Sequence, residues 1–401
     1  MPDFESMHMI EAMRSGVSSR EVGRCFSDAR KPLLKKIDDN LDAACSEGLS
    51  KGMVVSGKYG EGKTHLLQTV FSMAHERNMV VSMVPIGKEN PLDKLYLFYQ
   101  KIMASTYLPG HEQPGVISEL DKISPLSKIA SDLLLFTATE LSSQRLHYLM
   151  DAYLHSEQKE QKYLLQADLE GDFISNSTIR EMYSSFCHKK CGKFSFVKTQ
   201  NYIDYFAFMS RLFKELGYRG WVLLFDEAEL MGRYSRRARC KAYRNMNYFL
   251  NPPSGVDGMF SLFVFSSSYR EDVIIDRNEK MEIEKYFQET SDCTVIPSMI
   301  DQISNAEELK SLSNDEINDV IDNIRRLHSK AYGWSPEIST DKLFSLTASH
   351  NYVLRTRLRS VIEYLDQLYQ YGTIGENTVA EIHDQSIKEE QDAEVLDGLM
   401  P

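Results

Sequence analysis

The sequence predicts an α/β fold: a parallel sheet with helices on both faces, a large helical insertion, and a helical C-terminal region. Two observations carry this expectation. Short apolar runs, of the kind a parallel sheet buries on both faces, recur at 52–56, 79–86, 220–227, 259–268 and 293–298. Between them apolar residues repeat at three-to-four spacing, as on amphipathic helices. With 401 residues, 42% of them hydrophobic, the chain can build a sizeable core and two domains.

Residues 1–48 read as an N-terminal helical segment, with "SREVGRCFSDARKPLLKKIDDNLDAAC" at helical spacing. The run "GMVVS" then gives a buried strand, followed by a glycine loop. Leu67, Val70, Phe71 and Ala74 mark the helix after that loop, and "MVVSMVPI" marks a second strand. Strand, loop, helix, strand is a βαβ unit. A core domain is expected over 49–300, interrupted by a helical insertion at about 104–200 with a polar break at "QADLEGDFISNST". Residues 301–385 read as helices, and 386–401 as an acidic tail.

Composition excludes several classes. No apolar run approaches the roughly 18 residues of a membrane span. The opening "MPDFESMHMIEAMRSG" has early acids and no apolar core of a signal peptide. Six cysteines in so long a chain fit reduced thiols and a cytoplasmic setting. The net charge of -12 argues against a general nucleic-acid coat, so any DNA contact needs a local basic patch.

Gly57-Lys58-Tyr59-Gly60-Glu61-Gly62-Lys63-Thr64 fits G-x-x-x-x-G-K-[ST] at every fixed position, between a strand and a helix. Glycines let the backbone turn tightly and aim N–H groups inward, and the helix start adds its positive dipole end. Lys63 is placed to reach β- and γ-phosphate oxygens, the Thr64 hydroxyl to bind Mg²⁺, and His65 follows in the same first turn. In "WVLLFDEAEL", four apolar residues deliver Asp226 and Glu227 to a strand's C-terminal edge, where open α/β sheets bind ligands. Asp226 is the candidate second Mg²⁺ ligand, and Glu227 the group that orients and polarises water. Ser267, at the end of "LFVF", is either a γ-phosphate sensor or an ordinary hydroxyl at a strand end.

Two groups of arginines follow. Arg233, Arg236, Arg237, Arg239, Lys241 and Arg244 form a basic cluster directly after the acidic strand. It reads as a trans-acting finger, a DNA-backbone patch or a solvated helix face. In "LRTRLRSVIEYLDQL", Arg355 and Arg359 lie at i,i+4, opposite an apolar stripe from Leu354 to Leu368. Arg355 suits a lid arginine docking on the γ-phosphate, and a surface ion pair is the plainer alternative.

These segments together resemble the ATP-binding proteins of the BREX phage-defence system, the "D" component. That family sits in the AAA+ superclass near the origin-recognition and STAND ATPases. "MIEAMRSGVSSREVGRCF" looks like the family's opening helix and GR box, "SGKYGEGKTHLLQ" its phosphate loop, and "LLFDEAEL" its acidic motif. "SNDEINDVIDNIRRLHSKAYGW" resembles the region after its core, and "LRTRLRSVIEYLD" its sensor-2 segment, with Leu354 where the family has proline. The resemblance implies an AAA+-type P-loop core that binds and hydrolyses ATP with Mg²⁺. It also implies Gly23 and Arg24 on the adenine side, Arg355 as sensor 2, and a C-terminal winged-helix domain that can touch DNA.

Two functions stay open on this reading. One is an ATPase that acts on DNA with a protein partner such as a helicase, in defence against phage. The other is a STAND-like nucleotide switch whose output is assembly, homo-oligomeric or with a partner. A GTPase would show N-K-x-D, which is absent, and a helicase would need a second lobe that the chain after 298 is too short and too helical to supply. Cys187, His188 and Cys191 in "CHKKC" give at most three zinc ligands, one short of a structural site.

Overall fold

The computed structural model describes residues 3–15, 30–253, 255–281, 283–287, 290–348 and 354–373. The chain divides into two compact units. One holds Pro32–Gly57 and Val70–Glu308, and the other Met1–Lys31, Lys58–Thr69 and the chain from Leu309 onward.

The first unit contains the sheet. Its strands are β1 (Lys51–Gly57), β2 (Val80–Pro85), β3 (Thr106–Tyr107), β4 (Trp221–Asp226), β5 (Met259–Ser266) and β6 (Glu307–Glu308), in the order β3-β2-β4-β5-β1-β6. Every neighbouring pair is parallel except β2 with β3. β4 is buried at all six positions. Its alternate residues Leu223 and Phe225 join a large cluster with Phe98, Phe206, Phe249 and Phe263. Val222 and Leu224, pointing the other way, are also fully buried. Burial on both faces is what made these runs continuously apolar rather than alternating.

The expected strand at 293–298 is a helix. Thr290–Ser304 is helical throughout, with Pro297 inside it. Ile296, Met299, Ile300 and Ile303 are buried at three-to-four spacing. A six-residue apolar run with Val and Ile beside a proline carries no period long enough to separate the two states, and packing decides it.

The segment expected as a helical insertion is mostly helical, although β3, inside its bounds, belongs to the sheet. The helices Lys128–Thr139, Arg145–His155, Lys159–Leu169 and Asn176–Cys187 precede Ile203–Glu215. Its core holds a buried ion pair, Arg145 with Asp168. Every arm of the pair is satisfied: Arg145 also donates to the Tyr205 hydroxyl at 2.8 Å and to Asn176 at 2.6 Å, and Asp168 accepts from the Ile174 N–H at 2.8 Å. A buried charge is tolerated only under such complete pairing.

The second unit has its own core. The helices Phe4–Arg14, Asn314–Tyr332, Thr340–Ala348 and Leu354–Tyr371 bury Met9, Ile10, Ile321, Ile324, Leu343, Val361 and Leu365 together. Among the described residues from 309 to 373 there is no strand, so the wing that the resemblance implies has no counterpart in them. Asp366 is the polar centre of this bundle. It accepts from Arg14 at 2.9 and 3.0 Å and faces His328 Nε2 at 3.0 Å, while Trp334 Nε1 donates to His328 Nδ1 at 2.9 Å. That donation fixes the proton of the ring on Nε2, where it meets the carboxylate. The acidic tail at 386–401 lies outside the described residues.

Candidate nucleotide site

The loop after β1 has the geometry its sequence demands. Gly60 and Gly62 have φ of 74° and 88°, a left-handed backbone that disfavours any side chain. Alternation of such residues with ordinary ones builds a concave row of amides suited to anions. The helix Lys63–Glu76 starts immediately after, its first bond running from Leu66 N–H to the Gly62 carbonyl at 2.9 Å. Lys63 Nζ lies 3.5 Å from the Lys58 carbonyl and 6.0 Å from the centre of the Tyr59 ring. Thr64 and Tyr59 are exposed, and His65 is half-buried. A left-handed glycine pair, a helix N-terminus and a lysine in its first turn fit a phosphate chain.

Residues from the same unit hold this loop from behind. Arg30, itself left-handed at φ 60°, donates to the Glu61 carbonyl at 2.5 Å and sits 3.8 Å from the Glu61 carboxylate. Its Nε donates to the Lys310 carbonyl at 3.0 Å and its backbone N–H to Glu316 at 3.0 Å. Ser311 donates to the Glu61 carboxylate at 3.0 Å. Hydrogen bonds from the Ser313 and Arg30 backbone amides hold the Glu316 carboxyl below its ordinary range. Arg355 stands in the first turn of Leu354–Tyr371, and its N–H donates to the Gly60 carbonyl at 3.4 Å. The arginine expected as a lid residue thus meets the phosphate loop through its backbone N–H. Arg30 was missed, because an arginine in "SDARKP" has no distinguishing spacing and its partners lie far along the chain.

The acidic motif belongs to the sheet's unit. Asp226 closes β4, is 8% exposed, and accepts from the Glu227 N–H at 2.9 Å. Glu227 is exposed and left-handed, with φ 53° and ψ 33°. A non-glycine residue in that region costs about 1–3 kcal/mol and persists where its surroundings fix it, often at functional sites. Glu229 Oε2 accepts from the Ser266 N–H at 3.0 Å, and the Ser267 N–H donates to the Gly57 carbonyl at 3.1 Å. The ends of β1, β4 and β5 are thereby linked at one edge.

The basic cluster separates. Arg239 is 5% exposed and paired with Glu279 at 2.5 and 3.1 Å, so it belongs to the core and is no part of a DNA-facing patch. The register explains this: Arg239, Ala242, Tyr243, Met246 and Leu250 share the buried side of Arg236–Leu250. Arg236 is half-buried over the carbonyls of Arg277 and Asn278. Arg233 and Arg237 are exposed, and Arg244 meets Asp292 at 3.2 Å.

Residues 2–121 and 187–383 match the family described as BREX system ATP-binding protein BrxC/D. The chain belongs to that family. Membership supports ATP as a ligand of this chain and a role in BREX phage defence. No curated protein matches the chain. The matched residues span the loop, the acidic strand and the helix of Arg355, and leave out 122–186 of the insertion. Gly23 and Arg24, expected on the adenine side, lie outside the described residues. No described helix is long and apolar enough to cross a membrane.

Proposed function

We propose that this BREX family member hydrolyses ATP and uses the cycle to act on DNA together with a protein partner such as a helicase. The observation that carries hydrolysis is Glu227: an exposed carboxylate, held left-handed beside the buried Asp226 at the end of β4. On this reading the amides of 57–64, with Lys63, hold the phosphates, and Gly23 and Arg24 bind the adenine side. Thr64 and Asp226 hold Mg²⁺, which neutralises phosphate charge when bound. Glu227 orients the attacking water and polarises it. Arg355 stabilises charge on the transferred group, and Ser267 registers whether that group is present.

A second reading is favoured by a different observation. Lys310, Ser311, Glu316 and Arg355 all contact Arg30 or the loop, through Glu61 and Gly60. A bound nucleotide that shifts this loop pulls directly on the C-terminal segment, as a slow assembly switch requires.

The purified protein is assayed for ATP hydrolysis with and without duplex and single-stranded DNA, with Glu227→Gln as the blank. Turnover that rises with DNA and disappears in the variant supports the DNA-linked ATPase. Tight ATP binding with negligible turnover under every condition overturns it in favour of the switch.

A further inference from the structure

The helices Arg145–His155 and Asn176–Cys187 carry a cluster that the nucleotide chemistry does not use. Asp151 and His155 stand at i,i+4 on the first helix, and Cys187 ends the second. Asp151 Oδ1 lies 3.1 Å from His155 Nδ1, and Cys187 Sγ lies 4.0 Å from the same nitrogen. All three ligand atoms fall within 4.8 Å of one another. A nucleophilic relay would place thiol and carboxylate on opposite nitrogens of the ring. Here they converge on one. Oxygen, nitrogen and sulfur gathered about a single point can also close on a small cation. With metal–ligand lengths of roughly 2.0–2.3 Å, adjacent ligand atoms of a tetrahedral site stand about 3.3–3.8 Å apart, a spacing these groups reach with small side-chain movements.

We propose that Asp151, His155 and Cys187 form an open, three-ligand binding site for a divalent cation of the zinc class, with water in the fourth position rather than the four protein ligands of a closed structural site. The donor set selects the metal: thiolate and imidazole favour zinc over magnesium, which prefers all-oxygen ligands. The scaffold is already in place. Tyr148 packs on Tyr183 with ring centres 4.8 Å apart and on Phe194 at 5.5 Å. The Gly192 N–H donates to the Tyr148 hydroxyl at 3.2 Å, and a Cβ at Gly192 would come within 2.4 Å of that oxygen. The segment after Cys187 is thus fixed on the helix that supplies the other two ligands. His188, the cysteine's neighbour, is left-handed at φ 52° and contributes nothing to the cluster. The site differs from the one "CHKKC" suggested, because two ligands come from a helix more than thirty residues upstream.

Binding balances simply. The Cys187 S–H bond breaks, the proton goes to solvent, and a sulfur–metal bond forms. His155 faces the Asp151 carbonyl through Nδ1 at 2.9 Å. With no ion bound, Nδ1 carries the ring proton and donates it to the Asp151 carbonyl and carboxylate oxygens; on binding, that proton leaves Nδ1, the ring takes its proton on Nε2, and the Nδ1 lone pair turns to the metal. No electron is transferred. The bound ion would fasten the end of Asn176–Cys187 to Arg145–His155, in a part of the chain mostly outside the family match.

The full-length protein, reduced and freed of metal with a chelator, is titrated with Co²⁺ and then Zn²⁺. The expected result is one equivalent of Co²⁺ with a sulfur-to-cobalt charge-transfer band, displaced by Zn²⁺ and untouched by excess Mg²⁺. Cys187→Ser removes the band. Asp151→Asn and His155→Gln weaken binding by more than the 10–100-fold that disturbing an outer-shell partner costs. Cys191→Ser retains binding. ATP binding, read separately, confirms that each variant is folded. Absence of the band in the native protein, or a band that persists in Cys187→Ser and is lost in Cys191→Ser, overturns the proposal.

Discussion

Glu227 shows how one residue can set stability against activity. Its left-handed backbone costs about 1–3 kcal/mol. On the proposed function, Glu227→Gln keeps that backbone and removes the water-polarising carboxylate, so turnover falls at least ~100-fold while ATP affinity changes by only a few-fold, as a labelled-nucleotide titration would show. Glu227→Gly removes turnover equally but raises unfolding stability by about 1 kcal/mol, measured by denaturant melts. Arg30 is the converse case, a residue whose work is to hold another. Arg30→Ala leaves Glu61 without its guanidinium and lowers ATP affinity about tenfold, the equivalent of one charge-assisted hydrogen bond. These two residues also mark what could be read from sequence. Glu227 follows four apolar residues and an aspartate, a pattern with fixed spacing and a physical reason. Arg30 acts through partners at 61, 310 and 316, and no local pattern records a contact made across such separations.

At the scale of elements, the strands of the core were legible and the helices near them less so. β4 and β5 are long, apolar and buried on both faces, so their runs admit one interpretation. The run at 293–298 is shorter and needed its neighbours Met299, Ile300 and Ile303 to declare a helical period. Arg239 was read with a charge run, although its place in the register of Arg236–Leu250 puts it on the apolar side. Arg239→Ala removes the closest partner of the buried Glu279, leaving Arg236 at 3.9 Å and the Tyr243 hydroxyl at 3.5 Å, and destabilises the protein by about 3 kcal/mol, seen as a lowered melting temperature. The bundle of the second unit depends similarly on Asp366. Burial raises the pKa of this carboxyl, but hydrogen bonds from His328 and Arg14 outweigh that and hold it below its ordinary value. A depressed carboxyl contributes stability above its unfolded pKa and loses it as pH falls through the folded one. Acid unfolding followed by circular dichroism therefore steepens below the ordinary carboxylate range, and Asp366→Asn flattens that slope while lowering stability at neutral pH.

For the whole molecule, the net charge of -12 constrains the DNA contact proposed above. Only local cations can offset the field of an acidic body; Arg233, Arg237 and Arg244 are the exposed arginines of the cluster, and Arg244 already meets Asp292. If they contact backbone phosphates, Arg237→Ala reduces the slope of log affinity against log salt by about 0.7–0.9 and weakens duplexes of any sequence alike. A salt slope unchanged in that variant would place the DNA contact elsewhere.

The sheet ends on both sides in strands of two residues, Thr106–Tyr107 and Glu307–Glu308. The second is exposed and carries two carboxylates, one of them paired with Lys36 at 2.7 Å. A short, charged margin offers a neighbouring chain almost no ladder to extend and repels its own copy. The most aggregation-prone surface of an α/β protein is closed off in this way. Crowded copies can stay dispersed, and any assembly they form has to be built from helix faces and loops.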